Sequence, residues 1–118
     1  MSADIPTFDP VIHAPARLQI AALLCAVSDA EFATVRDTVG VSDSVLSKHL
    51  KQMEDAGYVR LSKASLDGRV RTRLAMTKAG RRAFAAHVKA LQALVSVAEH
   101  APANAEPDLA VGELETVR

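Results

Sequence analysis

At 118 residues and with no formal net charge, the chain has the size of one small domain plus an extension. Apolar residues make up 49%, which excludes a disordered chain, while 3% aromatics and no tryptophan exclude a stacking platform for single-stranded nucleic acid. The single cysteine, Cys25, excludes a disulfide framework within the chain and fits a reducing cytoplasm.

The start, MSADIPTFDP, lacks the basic opening and apolar run of a signal peptide. No apolar stretch approaches the ~20 residues that span a bilayer, so a cytoplasmic protein is expected. Pro6, Pro10 and Pro15 each remove a backbone donor and disfavour helix just before them. Residues 1–15 are therefore expected as an irregular arm with a short turn at Pro10–His13. In residues 16–27, Ile20, Leu23, Leu24 and Val27 recur at helical spacing and predict a core-facing helix. SDAE follows as a connection. Residues 32–40 predict a short helix with Phe32, Val35 and Val39 inward and Gly40 as terminator.

Ser42 is placed to cap the next helix, whose predicted buried stripe is Val45, Leu46, Leu50 and Met53 and whose stop is Gly57. Two helices joined through Gly40-Val41, the second opening on a serine cap, match a helix-turn-helix. The period then changes to two. Tyr58–Lys63 and Val70–Thr77 predict two strands. Val70, Thr72, Leu74 and Met76 fall on one face of the second, and Arg69, Arg71 and Arg73 on the other. Asp67-Gly68 between them is a turn-forming pair, giving a hairpin with a basic outer face and a flexible tip. Thr77 can cap a last helix from Lys78 to about His100, and Pro102 stops it. Residues 101–118 are expected as a mobile acidic tail. The predicted organisation is thus an arm (1–15), a winged helix domain (16–77), a long C-terminal helix (78–100) and the tail (101–118).

Charge is polarised along this order. Lys48 to Lys89 holds eleven cations against three acids, whereas the stretch from Glu99 onward holds five acids and one cation. A basic middle points to a polyanionic partner.

Helix, helix, helix, hairpin, helix is the order of a mainly α winged helix-turn-helix. FDPVIHAPARLQIAALL, EFATVRDTVGVSDSVLSKHLKQMEDAGYV and TRLAMTKAGRRAF resemble the small winged-helix regulators related to the MarR and ArsR groups of prokaryotic repressors. The resemblance runs from about Phe8 to Leu94. It implies a homodimeric transcription factor, with helix 43–56 in the major groove of a pseudo-palindromic operator and wing 60–73 on the minor groove or backbone. It does not extend to thiolate metal sensing: the ArsR site uses a Cys-x-Cys pair, and Cys25 is followed by Ala26 and Val27. No metal or cofactor is expected.

Ser44, Ser47, Lys48, Lys51 and Gln52 lie off the apolar stripe and are the candidates for base and phosphate contacts. Arg69, Arg71 and Arg73 are the strongest candidates of the wing, because three guanidinium groups on one strand face repel each other unless phosphates neutralise them. Arg60 and Lys63 are weaker candidates on the partner strand. Phe84, Val88, Leu91, Leu94 and Val95 recur at alternating four- and three-residue steps, the pattern of a dimer seam. Asp43 complements the helix dipole or meets a cytosine amine. His49 is expected as a packing or phosphate-contact residue. His13 and His87 meet if the arm packs on the last helix, as a small effector or metal site would require.

An enzyme is not expected: there is no Gly-rich phosphate loop, H-E-x-x-H or G-x-S-x-G in the chain. The leading expectation is a repressor binding double-stranded DNA. A ligand-responsive switch is compatible with it. The alternative is a winged-helix interaction module docking an acidic partner, or its own acidic tail, through the basic hairpin.

Overall fold

The computed structural model describes residues 7–100, in the order α1 (Pro10–His13), α2 (Pro15–Cys25), β1 (Ala30–Glu31), α3 (Phe32–Val39), α4 (Asp43–Asp55), β2 (Val59–Leu66), β3 (Arg69–Met76) and α5 (Lys78–Glu99). The expected acidic tail lies outside the described residues. Each boundary has a local cause. Asp9 caps α1, its Oδ1 accepting from the amides of Val11 (2.8 Å) and Ile12 (3.2 Å). Pro15 occupies the first turn of α2, where no amide is needed. Gly40 ends α3 in the left-handed conformation (φ 81°), which turns the chain into α4 without steric cost. Ser42 Oγ accepts from the Val45 amide at 3.2 Å, and Thr77 Oγ1 from the Gly80 amide at 2.9 Å, as the sequence predicts for both caps.

The core gathers Ile12, Ile20, Leu24, Val35, Leu46, Leu50, Met53, Val59, Leu74 and Met76. Burying one such side chain stabilises the fold by roughly 1.5–3 kcal/mol. Two sequence expectations change here. Val27 falls beyond the end of α2 and is exposed, because the helix stops at Cys25. Val45 is 40% exposed instead of buried, so the inward stripe of α4 is Leu46, Leu50 and Met53.

The sheet is antiparallel and three-stranded, in the order β1-β3-β2. Its third strand was not expected: Ala30 pairs with Leu74 and Glu31 with Arg73, within the stretch read as a connection. Two residues are too few for a period to show. The hairpin ladder runs up to the Leu66–Arg69 pair, closed by Asp67 (φ 53°) and Gly68 (φ 75°). Two consecutive positive φ values suit the twist of flanking strands, so the paired region is longer than the sequence implies. The first turn of α5 lies closely against the chain just before β2: a Cβ atom at Gly80 would collide with the Tyr58 carbonyl oxygen.

Candidate nucleic-acid interface

Helix α4 turns Leu46, Leu50 and Met53 inward, so 3.6-residue geometry sends Ser44, Ser47, Lys48, Lys51 and Gln52 outward; all five are exposed. A groove of about 420 Å³ separates this face from the wing. It is lined by Asp43 and Ser47 of α4, by Arg71 and Thr72 of β3, and by Glu31, Phe32 and Ala33 where β1 meets α3. Helix α4 and the wing therefore both line one depression.

Ion pairs fix the frame. Arg36 of α3 donates from Nη1 to Asp43 Oδ1 (2.8 Å) and from Nε to Asp37 Oδ1 (2.8 Å), tying the two helices at their junction. These carboxylates raise the Arg36 pKa above its ordinary value, the Asp37 contact first. Asp43 is thereby engaged within the protein. Lys51 meets Asp55 one turn on, at 3.1 Å, an exposed pair of small value. His49 is half-buried against α2, its Nδ1 3.3 Å from Arg17 Nη1. Burial, then the Arg17 charge, push His49 below its ordinary pKa.

On the wing, strand register sorts the cations. Arg60 pairs with Ala75 and so shares a face with Arg69, Arg71 and Arg73; Lys63 pairs with Thr72 and lies on the opposite face. The arginines themselves are not alike. Arg71 Nη1 lies 3.0 Å from Glu31 Oε1. Arg73 donates to Asp29 through Nε (3.0 Å) and Nη2, and its Nη1 lies 3.7 Å from Glu31 Oε2. Three mutually repelling, uncompensated arginines are the sequence expectation; two of them are compensated by Glu31 on, and Asp29 just before, the strand that the sequence reading missed. Among the described residues Arg69 makes no ion pair, and it is exposed beside the turn.

Two exposed apolar side chains of α4 and the wing escaped sequence reasoning. Val45, near the start of α4, presents an apolar surface beside Ser44, and Val70 at the wing tip is 70% exposed. Both lie at positions where periodicity assigns a core role, so only the tertiary fold separates them from it. Arg81 belongs to the frame: it donates to the carbonyls of Cys25 (3.0 Å) and Val27 (2.9 Å) at the end of α2. Burial raises the Cys25 thiol, with Arg81 opposing, so the sulfur stays protonated.

Along α5, Phe84, Val88 and Leu91 are half-buried, and Phe84 packs on the domain core. Leu94 and Val95 are about half exposed, at 51% and 53%. His87 faces the arm, and its Nε2 lies 3.1 Å from Nδ1 of His13. The two rings meet as the sequence allowed. No cluster of three or more His, Cys, Asp or Glu side chains placed to hold a metal occurs among the described residues. No described helix is long and apolar enough to cross a membrane.

The sequence model of one family, described as a winged helix DNA-binding domain, matches residues 16–95. An uncharacterized protein of Methanocaldococcus jannaschii, MJ0432, is 34% identical over 74 residues, which cover 63% of this chain and 80% of that protein. The structure of a transcriptional regulator homologue from Pyrococcus horikoshii OT3 superposes with a TM-score of 0.72 at 24% identity, over 75% of this chain and 88% of that one. A MarR-family transcriptional regulator from Rhodococcus sp. RHA1 superposes with a TM-score of 0.60 at 22% identity, over 92% of this chain and 73% of that one. The fold is thus shared with MarR-family regulators, as the sequence resemblance implied.

Proposed function

This chain belongs to the winged helix DNA-binding domain family, and from that premise we propose a homodimeric transcriptional regulator, a repressor that blocks promoter access by binding double-stranded operator DNA. The observation that carries this reading is the groove shared by Ser47 of α4 and Arg71 of the wing. A duplex laid there puts α4 in the major groove and the wing tip over the neighbouring backbone.

Within that placement, Ser44, Ser47 and Gln52 supply hydrogen bonds to base edges, and Lys48 and Lys51 reach guanine or phosphate. Val45 adds an apolar surface for a thymine methyl group. Arg69 and Arg60 neutralise phosphates on the arginine face of the wing. Lys63, on the other face, reaches only a backbone that curves around the wing. The exposed stretch of α5 around Leu94 and Val95 pairs with its copy, continuing the half-buried row of Phe84, Val88 and Leu91. A two-fold dimer would set the reading helices about one DNA turn apart, ~34 Å, on a pseudo-palindrome.

Selection of genomic fragments by the purified protein, followed by sequencing, tests the reading. Recovery of a common inverted repeat supports it. Recovery of fragments with no shared sequence, at the frequency of a bead control, overturns it.

A further inference from the structure

Asp29 and Glu31 sit against the arginine-bearing side of the wing, where carboxylates oppose binding to phosphate. Glu31 is held there by strand register, directly across from Arg73. Both its oxygens face guanidinium groups, Oε1 at 3.0 Å from Arg71 and Oε2 at 3.7 Å from Arg73. Asp29 takes the Nε and Nη2 edge of Arg73. Glu31 and Arg71 also line the groove between helix and wing. A phosphate entering the groove must therefore compete with a carboxylate for the same donors.

Resting on the DNA-binding reading, we propose that Asp29 and Glu31 are specificity determinants, a carboxylate clasp that withholds Arg71 and Arg73 from the phosphates of non-target DNA. Sequence-independent affinity grows with the number of phosphates neutralised. A clasped arginine adds to that number only when its ion pair is exchanged for a phosphate contact. Loosely seated, non-target DNA leaves the clasp closed. A duplex locked in register by base contacts to α4 brings its phosphates close enough to open it. The clasp thus lowers non-specific affinity more than specific affinity. The uncompensated Arg69 remains to hold any duplex.

The test measures binding of a random-sequence duplex by fluorescence anisotropy across a salt series, for the wild type and the isosteric double variant D29N/E31Q. The variant is expected to bind about tenfold tighter at low salt, with a salt slope steeper by about 0.9 for each arginine released. Adding R71A/R73A to that variant is expected to remove the gain, which separates freed arginines from a general loss of negative charge. R71A/R73A alone is expected to bind random duplex about as well as the wild type, whereas R69A binds more weakly. Wild-type binding with no gain in D29N/E31Q, or a gain that survives R71A/R73A, overturns this inference and leaves the DNA-binding reading intact. Failure of the wild type to bind any duplex overturns both.

Discussion

His87 and His13 meet ring to ring, Nε2 to Nδ1 at 3.1 Å, and their contact joins the N-terminal arm to the last helix. The Asp9 amide lies 3.1 Å from Nδ1 of His87 and can only donate. That nitrogen must accept, so the His87 proton sits on Nε2 and is donated to His13. Phe8 stacks on the outer ring at 4.9 Å. The Asp9 carboxylate accepts at 2.5 Å from the hydroxyl of Tyr58, which follows the reading helix. One polar network thus connects the arm, the segment that follows α4, and α5.

Acid should loosen this network in two steps. Burial, then the charge of neighbouring His13, push His87 below its ordinary pKa of 6.5, against an opposing pull from Asp9. A second proton would occupy Nδ1 and face the Asp9 amide, donor against donor. His49 is lowered as well. The unfolded chain then binds more protons than the folded one just below pH 6.5, so stability is complete above that value and declines beneath it. For Asp9 burial acts upward, but the hydrogen bonds from Tyr58, Ile12 and Val11 outweigh it and hold the carboxyl below 3.8. Its contribution persists until much stronger acid. Urea midpoints are expected to be lower at pH 5.5 than at pH 7.5, and His87→Gln to flatten the difference. Equal wild-type midpoints would refute the assignment.

Gly80 should resist the usual benefit of alanine in a helix. An open helical site gains nearly 1 kcal/mol from Gly→Ala. Here the added carbon meets the Tyr58 backbone carbonyl and the end of Met76. Gly80→Ala is expected to cost about 1–3 kcal/mol through overpacking, read from denaturant unfolding. A stabilised variant would show that α5 does not approach the Tyr58 carbonyl as described.

Ser42 separates capping from DNA contact. Its hydroxyl already accepts from the Val45 amide. Ser42→Ala is expected to lower stability by about 1 kcal/mol and to leave the salt slope of DNA binding unchanged. A changed slope with intact stability would make Ser42 a contact residue instead.

Leu94→Glu with Val95→Glu should act on assembly alone. Both residues are half exposed on a single subunit, so unfolding of the monomer should move by no more than about 0.5 kcal/mol. Sedimentation is expected to show dimer for the wild type and monomer for the variant. A variant that remains dimeric would place the subunit contact elsewhere.

The reading helix was legible because its signals are local: a serine cap, apolar residues at helical spacing and a glycine stop. The hairpin was legible for the same reason, from alternation and Asp67-Gly68. What escaped depends on contacts between distant segments. Arg71 finds Glu31, and Arg73 finds Asp29, across some forty residues; no local period reports a two-residue strand that brings them together. Val45 shows the converse: its spacing fits the buried stripe of α4, yet it sits at the edge of the stripe, beyond the reach of the core.

The account turns on whether the α4 face and the wing tip hold duplex DNA, and a salt titration of duplex affinity measures this most directly. Wild-type affinity is predicted to fall steeply with salt, and Lys48→Ala and Arg69→Ala each to reduce the slope by about 0.9 with unchanged circular dichroism. Variants that fold normally and match the wild type in both affinity and slope would contradict it.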